Sequence, residues 1–205
     1  MRCAASRGQS PQTLVSCLAT RRRAPAWSAS TDPNSRPPGR RAPSWLLYPG
    51  IDGELTVPLT VRHADLRAHA GEVSLPGGAV DPTDASREAA ALREAHEEIG
   101  VDPATVLIIG TLDDTWIPVS NFELRPFVGT TDRKPDLQPH TDEVAAIVEL
   151  PVRHLLAEGA ISDEIIEGTG WRLRAGVYRY AGERIWGATA RTLAMFATVI
   201  AMARD

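Results

Sequence analysis

Leu75-Pro76-Gly77-Gly78, followed at residues 93–101 by Arg93-Glu94-Ala95-His96-Glu97-Glu98-Ile99-Gly100-Val101, decides how the rest of this chain is read. The second run has helical periodicity. At about 100° per residue, Glu94, Glu97 and Glu98 fall within one arc of roughly 100°, while Leu92, Ala95 and Ile99 share the opposite stripe. One face packs and the other collects negative charge. Like charges three and four residues apart destabilise a helix by about 0.2–0.5 kcal/mol per pair. A cluster with no interleaved lysine therefore needs a cation nearby, and hard oxygen donors in that grouping suit Mg²⁺ or Mn²⁺. The pattern predicts a helix from about Thr83 to Ile99, with Asp84 or Thr83 as N-cap and Gly100 as the stop.

Working outward, Trp45-Leu46-Leu47-Tyr48, a turn at Pro49-Gly50-Ile51-Asp52-Gly53 and Leu55 to Val61 read as two adjacent strands in a hairpin-like arrangement. Residues 64–70 form a mixed connector. Further strands are expected at 106–110, 124–131, 144–150 and 171–180, with a short helical segment opened by Pro151. A C-terminal helix over Ala188 to Ala203 is marked by Leu193, Phe196, Ala197 and Ile200. Strands with interspersed helices and no internal repeat imply an α/β or α+β layered domain with a mixed sheet.

Residues 1–44 differ in composition. They hold eight arginines and one acidic residue, Asp32, so this arm carries +7 and the remaining chain −11 of the formal −4. Its Ser, Pro and Arg content predicts a largely loose arm, with a short helix at Pro11 to Arg23, leading into a domain over 45–205. Such an arm fits either a bacterial N-terminal extension or a transit peptide, which leaves organelle import open. The acidic body argues against nucleic acid as main partner, because a duplex-binding domain presents a basic stripe. Lys134 is the only lysine among 22 basic residues, a bias that points to a GC-rich, bacterial-like genome; the protein is expected to be cytoplasmic. Cys3 and Cys17 cannot staple the domain and have no zinc-site spacing, which favours a reducing compartment. No apolar run reaches the length of a membrane span. The five histidines lack metal-ligand spacing, and His96 is expected to face solvent or stand behind the ligands.

Gly78…Arg93-Glu94-Ala95-His96-Glu97-Glu98-Ile99-Gly100-Val101 resembles the Nudix box, G-x5-E-x7-R-E-U-x-E-E-x-G-U with U apolar. The second half matches at every fixed position. In the first half Gly78 lies one residue too far from Arg93, and Ala85 stands where the box has its first Glu. Upstream, Leu59, Thr60, Arg62, Arg67, Gly71, Pro76, Gly77 and Gly78 resemble the signature L-T-x-R-[S/A]-x3-R-x3-G-x3-F-P-G-G of the coenzyme A diphosphatase branch; His63 and Leu75 depart from it. That branch has a longer Gly-Gly loop with acidic residues, such as Asp81 and Asp84 here, which accounts for the additional residue. Residues 116–122 and 184–191 also look like that branch, so the resemblance covers roughly residues 45–200.

The resemblance implies a Nudix-type α/β/α sandwich with a mixed β-sheet and a catalytic loop-helix-loop. It implies metal-dependent hydrolysis of the diphosphate of coenzyme A or its derivatives, giving 3′,5′-ADP and (acyl-)4′-phosphopantetheine. The alternative within the family is another nucleoside diphosphate derivative, such as ADP-ribose or a nucleotide sugar. A non-catalytic ligand-binding relative would have lost a metal carboxylate, and all three are present. A diphosphate repels nucleophiles through its own charge, so the reaction needs divalent cations and a positioned, deprotonated water. By the resemblance, Glu97 and Glu98 hold Mg²⁺ or Mn²⁺. Glu94 also reaches the metals and orients or deprotonates the water, and Arg93 pairs with a nearby carboxylate and orients it. The Gly78 carbonyl and Glu143 are further candidate ligands. Arg62 and Arg67 are candidates for the phosphates, Gly77 for close backbone approach, and Trp116, Asn121 and Phe122 for the cleft wall. The resemblance leaves open a homodimer.

Overall fold

Gly39–Pro49 forms a single strand, β1, on which the sheet is assembled. The computed structural model describes residues 37–66, 69–118, 120–139, 142–168 and 170–204; the expected helix at 11–23 and Arg67 lie outside them. The strand begins six residues before the Trp45 at which the apolar pattern sets in, so Gly39 to Ser44 pair within the sheet. The last two residues of β1 pair antiparallel with β2 (Leu55–Arg62), Tyr48 opposite Thr56, through the expected turn. Strand β3 (Val73–Ser74) adds to β2, and β4 (Gly77–Ala79) runs antiparallel to the first part of β1.

After helix α1 (Arg87–Ile99) and a 3-10 turn at Pro103–Thr105 come β5 (Leu107–Thr111) and β6 (Thr115–Ile117). The apolar run predicted as one strand over 124–131 is two, β7 (Phe122–Leu124) and β8 (Phe127–Thr130), because Pro126 between them lacks the N–H that a continuous ladder requires. Both lie parallel to β1, β7 along its first residues and β8 along Ser44 to Leu47. Strand β9 (Val144–Pro151) pairs with β2 and leads into α2 (Val152–Leu155). The result is a nine-stranded mixed sheet. A separate three-stranded antiparallel sheet follows, β10 (Ile161–Gly168), β11 (Trp171–Tyr180) and β12 (Glu183–Ile185), and then α3 (Gly187–Arg204).

Four consecutive residues of β1, Trp45 to Tyr48, are buried, which in a strand means that both faces are covered. On one face Leu46 and Tyr48 pack with Ile99 and Val101 at the end of α1, and Ala42 meets Ala90 and Ala91. On the other, Trp45 stacks on Phe196 of α3 with ring centroids 4.5 Å apart, within a core that includes Leu47, Leu59, Leu150, Leu193 and Ile200. Each such large side chain contributes about 1.5–3 kcal/mol through burial. The layers are therefore helix, sheet, helix, as the α/β/α sandwich requires. No helix among the described residues is long and apolar enough to cross a membrane.

Candidate active site

The loop and α1 meet over two glycines. Gly77 has φ 142°, and a Cβ there would stand 2.5 Å from Pro43 Cα, so only glycine lets β4 approach β1 this closely. Its N–H donates to Glu98 Oε2 at 3.0 Å. At Gly78 a Cβ would fall 2.3 Å from the Glu94 carboxylate, so the bare backbone is what allows Glu94 to lie over the loop.

Helix α1 starts later than expected. Ser86, extended at φ −160°, is the N-cap and accepts from Ala89 N–H, while Gly100 closes the helix in the left-handed region at φ 74°. Asp84 is not the cap because its carboxylate faces Arg93, taking Nε and Nη2 in a bidentate pair at 3.0 and 3.1 Å. It stands one residue before Ala85, so the longer loop supplies an acid although the box position itself is alanine. The Asp81 N–H also donates to Asp84, and Asp81 accepts from Thr83, which shapes the turn. Arg93 further donates through Nη1 to Glu94 at 3.0 Å and Glu97 at 2.8 Å. The expectation that Arg93 pairs with one carboxylate thus becomes three.

The three glutamates stand in different surroundings. Glu97 is exposed and Glu94 partly covered. Glu98, expected on the charged face, is 8% exposed and belongs to the packed side of the helix. Burial pushes the Glu98 carboxyl up to about 7; the Gly77 N–H and Arg62 oppose that, while Glu94 and Glu143 add to it. Glu94 is also raised, first by burial, with the hydrogen bond and charge of Arg93 opposing, Glu97 adding, and Arg41 opposing. The Asp84 carboxyl is lowered, first by its hydrogen bond to Arg93.

Within electrostatic reach of Glu98, Arg62 Nη2 donates to Glu143 Oε2 at 3.0 Å, and the Glu143 carbonyl accepts from His63 N–H. A β-bulge aims this pair: between Val61 and Arg62 the β2–β9 register shifts from Ala146 to Val144, leaving one extra residue on β9. Arg62, a phosphate candidate, is therefore held by Glu143, a metal candidate. His96 is exposed, its Nδ1 3.0 Å from the Val101 carbonyl.

Among the described residues no three Asp, Glu, His or Cys side chains form a metal-ligand set. Glu94, Glu97, Glu98, Gly78 and Glu143 are brought together as neighbours but not as a closed cage, because Arg93 holds Glu94 and Glu97 while Arg62 holds Glu143. The donor chemistry nevertheless fits a divalent cation. Every candidate donor is a hard oxygen, Gly78 leaves open the space that a side chain would fill, and buried Glu98 would gain from a cation beside it.

At the far edge of this end of the sheet, Asn121 has φ 50°. Its Oδ1 accepts from Trp116 Nε1–H, and its carbonyl from Gly39 N–H. Phe122 opens β7 and lies against β1, with the Arg41 guanidinium over its ring. Trp116 is 43% exposed. Sequence reading missed Asp84 as an ion-pair partner and Arg41 altogether. Asp84 was legible from the need of a rigid, planar arginine fork for a carboxylate within reach, whereas Arg41 was hidden inside an Arg-rich stretch read as a loose arm.

Comparison with known proteins identifies the fold and the family. The family model described as NUDIX domain matches residues 49–167. A protein of Cronobacter sakazakii named Uncharacterized Nudix hydrolase NudL is 45% identical over 134 residues, 64% of this chain and 68% of that protein. Its namesake in Pectobacterium atrosepticum is 37% identical over 169 residues, covering 82% of this chain and 88% of the relative. The crystal structure of a MutT/nudix family protein from Enterococcus faecalis shares the fold with a TM-score of 0.52 at 15% identity, over 95% of this chain and 71% of that one. The chain belongs to the Nudix hydrolase family, whose members act on pyrophosphate bonds and generally use divalent cations.

Proposed function

We propose that this protein hydrolyses the diphosphate of coenzyme A or its derivatives, releasing 3′,5′-ADP and (acyl-)4′-phosphopantetheine. The observation that carries the reading is the continuity of the segment from Leu59 to Gly78 with the acidic helix. Its described part holds β3 and portions of β2 and β4, and it brings the charge of Arg62 and the Gly77 N–H to Glu98. Thr60, at a signature position, is 1% exposed, its hydroxyl 2.9 Å from that of Ser74, which fastens β3 to β2 and fixes the approach to the Gly-Gly loop.

Mg²⁺ or Mn²⁺ bound by the carboxylates would offset the diphosphate charge and lower the pKa of a bound water. The chain's own residues do the rest. Arg93 holds Glu94 and Glu97 in fixed orientation, and Asp84 in turn holds Arg93. The Gly77 N–H orients Glu98. Glu94, lying over Gly78, orients or deprotonates the water that adds across the P–O–P bond, so that each product keeps one of the two phosphates of the diphosphate, and 3′,5′-ADP retains its 3′-phosphate as well. Incubation of coenzyme A with the protein and Mg²⁺ or Mn²⁺ is expected to yield 3′,5′-ADP. No nucleotide product would overturn the reading, and faster turnover of ADP-ribose or a nucleotide sugar would transfer it to that substrate.

A further inference from the structure

Gly39 and Phe122 lie side by side in the parallel β1–β7 register, and a Cβ on Gly39 would fall 2.5 Å from the ring's Cε1. A residue without a side chain at this point leaves room for the ring against β1. Arg41 stands two residues further along, on the same face of the strand, and its Cζ lies 4.7 Å from the centroid of that ring. The turn that presents Phe122 is tied at both ends, by Trp116 to Asn121 and by Gly39 N–H to the Asn121 carbonyl. Ring attraction holds a guanidinium without consuming its in-plane donors, which remain available to a planar or tetrahedral oxyanion.

The charges around Arg41 are distributed unequally. Arg87 pairs with Glu123, Arg93 with Asp84, Glu94 and Glu97, and Arg125 with Asp114. Among the described residues no carboxylate forms an ion pair with Arg41. It is half-buried, and in the β1–β4 ladder it stands opposite Ala79, next to the Gly78 over which Glu94 lies. Among the described residues, then, Arg41 is a cation steadied by a ring and not by a carboxylate, and its charge reaches Glu94, whose carboxyl it helps to lower against the effect of burial.

We propose that Arg41, laid on the Phe122 ring, grips phosphate oxygens of the substrate beside the carboxylate cluster. This rests on the diphosphatase reading of the site. It assigns to the pair a ground-state binding role: Arg41 supplies the charge and Phe122 fixes where it stands, so substrate affinity depends on both and turnover of bound substrate much less.

Two measurements test it. Calorimetric binding of inorganic pyrophosphate in EDTA reads the anion site without catalysis, and steady-state kinetics with Mg²⁺ read it on coenzyme A, or on ADP-ribose if that is the faster substrate. Arg41→Ala is expected to weaken pyrophosphate about 10- to 100-fold and to raise KM by a similar factor, with kcat and Mn²⁺ affinity nearly unchanged. Arg41→Lys should recover part of the loss. Gly39→Ala, which keeps both side chains but displaces the ring, should shift KM in the same direction. Arg41→Gln serves if the alanine variant folds poorly. A wild type that does not bind pyrophosphate, or a folded Arg41 variant that binds it as the wild type does, overturns the assignment. If neither substrate is turned over while pyrophosphate binding still depends on Arg41, the diphosphatase reading fails and the anion site stands.

Discussion

Two regions of the molecule use the same arginine–carboxylate chemistry to opposite ends. Along the β10–β11 hairpin, Arg174 pairs with Asp163 at 2.7 Å, Arg172 with Glu167 at 3.2 Å and Arg179 with Glu164 at 2.7 Å. The first two pairs expose more than 60% of every side chain involved. Such pairs contribute about 0.2–1 kcal/mol each, because water screens the attraction and two long side chains lose entropy. Around α1, one arginine serves Asp84, Glu94 and Glu97, the Asp84 side chain is 6% exposed, and Glu98 is buried beside them. Burial and not the number of pairs separates the regions. On the hairpin every charge has water as an alternative partner, and at the site Asp84 and Glu98 have little access to it. The site is thus loaded with negative charge that its own arginines only partly offset, a state that a divalent cation relieves.

This contrast can be broken at several points, of decreasing expected size. Glu98→Gln should reduce turnover by roughly 10²–10³-fold or more, measured as product release at saturating metal, since an amide cannot supply the anionic oxygen. Undiminished turnover would remove Glu98 from the mechanism. The same substitution tests the electrostatic strain. In the folded state the Glu98 pKa rises from 4.5 to about 7, so the native protein holds this proton more tightly than the unfolded chain. Metal-free stability should therefore fall by an amount on the order of 1–3 kcal/mol as pH rises from 4.5 through 7, and flatten above. Urea melts in EDTA should show this drift in the wild type and its loss in Glu98→Gln. Asp84 and Glu164, both lowered by arginine, act with the opposite sign, and their contribution disappears as pH falls through the ordinary carboxylate range and below. Finally, Arg93→Ala should lower stability by about 1–2 kcal/mol, because it strips three carboxylates of their partner, whereas Arg174→Ala should change it by less than about 0.5 kcal/mol. Equal costs in chemical denaturation would show that burial does not distinguish the two sets.

Much of the fold was legible where the pattern is local. The β1–β2 hairpin follows from two apolar runs around a Pro-Gly turn, the C-terminal helix from Leu193, Phe196 and Ile200, all buried as their spacing requires. What escaped is short or depends on distant partners. Two- and three-residue strands such as β3, β4 and β12 have no periodicity to read, and they exist because a longer strand is alongside. Strand β10 escaped because its residues Ser162, Asp163 and Glu164 alternate poorly, and its pairing with β11 holds it. The N-cap was misplaced because Asp84 and Ser86 are equally good capping residues, and only the position of Arg93 decides which is free to cap.

The sequence by itself determined the acidic helix. The three-and-four spacing of Glu94, Glu97 and Glu98 is a property of helical geometry, as is the stop at Gly100, and no distant contact is needed to establish either. Tertiary structure alone decided how those carboxylates differ. Glu98 is buried because β4 is pinned to β1 through Gly77. Asp84 reaches Arg93 because the longer loop folds back over the helix, and Arg41 rises onto Phe122 because β1 pairs with β7 in parallel register. The first and third are non-local pairings of strand register and the second is a fold of the loop onto the helix, none of which residue spacing within one segment encodes.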